Sequence, residues 1–135
     1  MKPSELPDLH AHLRDALSTT SGMSIALSGS LARGDYRTNP EGAITSDLDL
    51  IPVVRRATDV ASARTQLEPI LRETADRFQI VATAAVTLLT AFLDAPHARY
   101  VTSMPADPWI TDPLDVATHT PATSRPPASR SVCPG

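Results

Sequence analysis

Two aspartates one residue apart, Asp47 and Asp49, stand in the run Ser46-Asp47-Leu48-Asp49-Leu50. An extended strand sends alternate side chains to opposite faces, so the two carboxylates share one face and Leu48 and Leu50 the other. Their α-carbons then lie about 6 to 7 Å apart. Like charges held side by side at a partly buried sheet repel each other. A divalent cation between them removes that cost, and Mg2+ takes carboxylate oxygens while completing its shell with water and phosphate. The pair alone carries little weight. With eleven aspartates in the chain, roughly one Asp-x-Asp is expected by chance, and an exposed strand edge guarded by acidic residues explains it equally well.

A second group precedes it: Gly29-Ser30-Leu31-Ala32-Arg33-Gly34, after the apolar stretch Met23 to Leu27. Glycine lets a backbone approach a ligand closely. Unpaired amides at a helix start favour an anion. The Ser30 hydroxyl adds a neutral donor and the Arg33 guanidinium a charged one. A plain strand-to-helix turn is the simpler account of Gly-Ser taken singly. The segment is not a P-loop, because Asp35-Tyr36 follows Gly34 where Lys-Ser or Lys-Thr would be required. Ser30 also lacks the Gly-x-Ser-x-Gly setting of a nucleophile elbow.

Taken together and in this order, the two groups resemble the nucleotidyltransferase superfamily that includes DNA polymerase β. The likeness is closest to its small bacterial members and to aminoglycoside nucleotidyltransferases. Their pattern is Gly-Ser-x-Ala-Arg-Gly, a loop, then Ser-Asp-x-Asp-Leu, and the segments Ser28 to Gly34 and Ser46 to Leu50 match it. The resemblance implies that Gly29 and Ser30 hold the terminal phosphates of a nucleotide, with Arg33 as a further phosphate contact. It implies that Asp47 and Asp49 are the catalytic, Mg2+-binding acids. The implied reaction is in-line attack of an acceptor on the α-phosphate of a nucleotide triphosphate such as ATP, releasing pyrophosphate. The acceptor is unknown.

Two departures stand out. The connection from Asp35 to Thr45 is longer than the family's usual one, which loop-closure entropy tolerates. The family's third carboxylate, on the next core strand, is absent: no Asp or Glu occurs from Phe78 to Leu93, and Asp94 lies just beyond. This departure favours an alternative reading. In it, the domain is a non-catalytic nucleotide-binding or antitoxin-like module that pairs with a HEPN-type protein partner.

The rest of the chain supplies the frame. Its 135 residues suggest one domain, and a net charge of −3 argues against life on a long nucleic acid. The single Cys133 excludes an intrachain disulfide and a cysteine-based zinc site. Met1 to His12 lacks the layout of a signal peptide, and the uncharged stretch Phe78 to Leu93 is too short to span a bilayer. A cytoplasmic protein is expected.

Helical spacing predicts a helix over Ser4 to Ser18 capped by Ser4, with His10 and His12 solvated on different faces. Strands are predicted over Met23 to Leu27, Asp47 to Val54 and within Ile80 to Leu89. A long helix capped by Thr58 or Asp59 is predicted to run to Phe78, kinked or split at Pro69. His97 and Arg99 are expected at the surface, and Trp109 to pack a loop onto the core. The expected fold is therefore α/β and nucleotidyltransferase-like, a short mixed sheet backed by helices over residues 1–104. A Pro-rich loop and disordered tail are expected over 105–135.

Overall fold

Six consecutive buried residues, Met23–Ser28, form strand β1, which leads into the short helix α2 (Gly29–Arg33). Strand β2 (Leu48–Val54) runs antiparallel to it, in a register that sets Met23 opposite Val54 and Ser28 opposite Asp49. The computed structural model describes residues 1–94 and 108–119. Strands β3 (Ala82–Ala84) and β4 (Thr87–Leu88) pair parallel to β2, and β5 (Trp109–Thr111) pairs antiparallel to β1. The sheet order is β3-β2-β1-β5, with β4 also beside β2.

Helices cover both faces. The side chains of Met23, Ile25, Leu27, Leu48, Leu50 and Val54 meet Leu9, Leu13 and Leu17 of α1 (Leu6–Leu17) and Ala63, Leu67 and Phe78 of α3 (Val60–Phe78). On the other face Ala26, Ile51 and Val53 pack with Phe92 of α4 (Leu89–Asp94) and Val116 of α5 (Val116–His119). The result is a small mixed sheet between helices, an α/β arrangement. No helix of the described residues is long and apolar enough to cross a membrane.

The single strand expected within Ile80 to Leu89 is two strands, and Pro52 accounts for the break. The Leu48 amide donates to Val81 O and Leu50 O accepts from the Ala85 amide, so even-numbered residues of β2 direct their backbone groups toward β3 and β4. Pro52 has no N–H to offer there. Pairing with β3 ends at Leu50 and resumes with β4 at Val53.

Pro69 does not split α3, which runs unbroken from Val60 to Phe78. Pro69 is exposed, on the side away from the buried Ala63, Leu67, Thr74 and Phe78. The Thr65 carbonyl that loses its donor therefore faces water. Packing on either side of the proline outweighs the local cost, so Pro69→Ala is expected to stabilise the fold by about 1–3 kcal/mol in chemical denaturation.

The helix starts also differ from expectation. Pro3–Glu5 forms a 3-10 turn, Glu5 rather than Ser4 stands at the α1 cap, and Glu5 Oε2 accepts from the Lys2 amide at 2.7 Å. Asp59 is the cap residue of α3 but makes no side-chain cap bond, its carboxylate lying 3.9 Å from Arg56 Nε.

His12 is only partly solvated. Thr74 Oγ1 donates to Ile70 O at 2.7 Å, so at 2.9 Å it accepts from His12 Nε2. Its other ring nitrogen, Nδ1, then accepts from Arg77 Nη1 at 3.2 Å, and the ring tilts against Phe78 at 5.5 Å. The imidazole joins α1 to α3.

Residues 108–119 belong to the sheet and its cover. Trp109 meets Phe92 edge-on at 5.7 Å, and Val116 is fully buried. Asp112 Oδ1 accepts from Ser24 Oγ at 2.7 Å and from the Val116 amide at 2.7 Å, tying the start of α5 to β1. The expected boundary at residue 104 leaves this segment out. His97, Arg99 and Cys133 lie outside the described residues.

Candidate functional site

Asp49 is the second residue of β2, and alternation turns it away from Leu48 and Leu50, both essentially inaccessible. That puts its carboxylate on the face of Ser28, its partner on β1. Gly29 follows Ser28 with φ +82°, a conformation that side chains resist. A β-carbon built on Gly29 would sit 2.5 Å from Asp49 Oδ2. Glycine is thus required twice, by the turn and by the carboxylate lying against it. The acid and the glycine turn, far apart in sequence, face one another.

Asp47 precedes β2 and is exposed. Among the described residues no hydrogen bond or ion pair engages it. The ion pairs among the described residues join Arg33 to Asp35, Arg56 to Asp59 and Arg72 to Glu68, so none of the described arginines is paired with Asp47 or Asp49.

The long connection before Asp47 is folded. Asn39 Oδ1 accepts from the Glu41 and Ala43 amides at 3.1 and 2.8 Å, closing a side-chain turn. Thr38 bridges to Ile44, and the buried Ile44 donates its amide to Met1 O at 2.6 Å. Ser46, buried, accepts from the Arg37 amide at 3.0 Å. The Ser46 hydroxyl thus fixes where the chain enters β2, one residue before Asp47.

Gly29 and Ser30 occupy the first turn of α2, both half-buried. The opening amides of a helix have no acceptor within it. With only five residues, α2 adds little dipole, so anion binding would rest on these amides and the Ser30 hydroxyl. Arg33 closes α2, and its Nε pairs with Asp35 Oδ2 at 3.2 Å. To touch a phosphate it would have to exchange that partner.

The feature missed in the sequence is Thr83. It pairs in register with Asp49, between Ala82 and Ala84, which pack on the opposite face. Its hydroxyl donates to Asp49 Oδ1 at 3.0 Å. Alternation within Ala82-Thr83-Ala84 gives its face; the pairing register, which gives its neighbour, is not in the local pattern.

Among the described residues no group of three or more His, Cys, Asp or Glu side chains is arranged for a metal. Mg2+ is commonly held by one or two carboxylates together with substrate phosphates, and Asp49 beside the glycine of this turn suits that mode. Asp94, exposed at the end of α4, forms no hydrogen bond or ion pair with either acid.

A separate cleft of about 290 Å3 opens on the α1 face, lined by His10, Arg14, Leu27, Ala32 and Ile110 among others. Burial, and then the charge of Arg14, push the His10 pKa below its ordinary value. The unfolded chain therefore binds a proton more readily at His10, and stability falls as pH drops below about 6.5. His10→Gln is expected to flatten that part of the stability profile, measured by denaturation between pH 5 and 7.

Comparison with known proteins returns nothing: no protein-family model, no curated protein sequence and no solved structure matches the chain.

Proposed function

We propose that this protein is a metal-dependent nucleotidyltransferase, moving a nucleoside monophosphate from a nucleotide triphosphate to an acceptor. One observation carries the reading: the Asp49 carboxylate lies against Gly29, at the only backbone turn that bears the Gly-Ser motif. A phosphate at that turn and a cation on the acid would be neighbours. In this reading the chain carries a nucleotidyltransferase-like fold. The Gly29 and Ser30 amides and the Ser30 hydroxyl hold the terminal phosphates, Asp47 and Asp49 hold Mg2+, and Arg33 adds a phosphate contact once it leaves Asp35. When bound, Mg2+ would neutralise charge at the reacting and leaving oxygens.

Thr83 favours a second reading. A hydroxyl stands beside Asp49 where a further carboxylate would complete a metal set. A threonine bonded in this way supplies neither a third acid nor a base for the acceptor. On that reading the domain binds nucleotide, or a HEPN-type protein partner, without transfer.

Incubation with Mg2+ and each labelled triphosphate separates the two. Pyrophosphate release or labelling that Asp49→Asn abolishes supports transfer. Metal-dependent nucleotide binding with no pyrophosphate from any of ATP, CTP, GTP or UTP supports the binding module.

A further inference from the structure

We infer that Thr83 is a positioning residue that favours one-oxygen ligation by Asp49 and so biases the site toward small, octahedral cations. The inference rests on the metal-binding reading of Asp47 and Asp49 given above. The geometry behind it is specific to this chain. Thr83 Oγ1 donates to Asp49 Oδ1 at 3.0 Å, while the competing backbone acceptor, Leu48 O, is farther, at 3.5 Å. Oδ2 of the same carboxylate is the atom a Gly29 β-carbon would strike. The two oxygens therefore have separate tasks: Oδ1 is engaged by β3 and Oδ2 is turned to the glycine turn.

Register makes this a fixed arrangement. Asp49 and Thr83 are paired neighbours on parallel strands, so the hydroxyl is delivered by the sheet. The Thr83 hydroxyl occupies one of the two lone pairs of Oδ1 and holds the carboxylate in one orientation, which leaves Oδ2 the less encumbered ligand atom and disfavours chelation through both oxygens. Ca2+ readily takes bidentate carboxylates and six to eight oxygens. Mg2+ and Mn2+ favour single-oxygen contacts in an octahedron. Thr83 thus sets cation preference without touching the cation.

The test is calorimetric binding of Mn2+–ATP and Ca2+–ATP to the full chain, for the wild type, Thr83→Val, Thr83→Ser and Asp49→Asn. Valine matches threonine in shape and suits a strand, so T83V removes the donor with little else. T83V is expected to weaken Mn2+–ATP binding about three- to tenfold, the size of one ordinary net hydrogen bond at a solvent-exposed position. It is expected to weaken Ca2+–ATP binding less, so the Mn2+/Ca2+ preference drops, and T83S is expected to restore it. An unchanged preference in T83V, or equal loss for both cations without rescue by T83S, overturns the role of Thr83 while leaving the acids in place. Wild-type binding that Asp49→Asn does not diminish overturns the underlying metal reading, and this inference with it.

Discussion

Asp49→Asn is expected to remove metal-dependent nucleotide binding while the fold survives intact or slightly more stable. The amide still offers Oδ1 to Thr83, so the bond that joins β2 to β3 at this point persists. The change is then confined to charge and to the atom facing Gly29. Losing an outer partner of a metal site commonly costs ten- to a hundredfold in affinity, so losing a ligand should cost roughly 100-fold or more. Among the described residues no arginine is ion-paired with Asp47 or Asp49. Removing one of two neighbouring like charges therefore relieves repulsion. Calorimetric titration with Mg2+–ATP reads the first effect and thermal denaturation without ligand reads the second. An unfolded Asp49→Asn would make the acid structural. Asp47→Asn is expected to behave alike, since no bond within the described residues depends on it.

Gly29→Ala is expected to do the opposite, harming both fold and site. At φ +82° a side chain costs about 1–3 kcal/mol in backbone strain. The new methyl would also sit 2.5 Å from Asp49 Oδ2, so the carboxylate must swing away and give up Thr83. Gly34 separates the two effects. It has φ +87° with nothing within 4 Å of its would-be β-carbon. Gly34→Ala therefore bears the strain without the collision. Both variants should lose melting temperature, by about 4–8 °C per kcal/mol for a domain near this size. Only Gly29→Ala should also lose nucleotide binding. Equal binding by the two alanine variants would mean that the glycine turn and Asp49 do not share a ligand.

The parts of this architecture written in local pattern were legible in the sequence. Met23 to Leu27 and Asp47 to Val54 declare themselves as strands by their apolar residues, the second observed from Leu48, and Leu48/Leu50 against Asp49 gives the faces. Leu9, Leu13 and Leu17 do the same for α1. What stayed hidden depends on partners distant in sequence. The break between β3 and β4 follows from which edge of β2 the backbone of Pro52 faces. The proline within α3 looked disruptive because its exposure, and the packing that holds the helix around it, are tertiary facts. Residues 108–119 read as loop because Trp109–Thr111 is only three residues long and gains strand character from β1 alone.

The candidate site divides in the same way. Its acids and its glycine turn were readable as residue types in order. That Asp49 lies against Gly29 follows from the antiparallel register of β1 and β2. Thr83 was invisible because nothing in Ala82-Thr83-Ala84 says which residue of β2 it will meet. Arg33 was readable as a cation near the turn, but its engagement with Asp35 was not.

Paramagnetic broadening by Mn2+–ATP, followed amide by amide in the NMR spectrum of the full chain, tests most directly whether turn and acids form one site. The account predicts that Gly29, Ser30, Asp49 and Thr83 fade at the lowest Mn2+–ATP concentration, and that Asp49→Asn abolishes the effect. Broadening centred instead on the carboxylates of α3, such as Glu68 and Glu73, with Gly29 and Asp49 untouched, would contradict it.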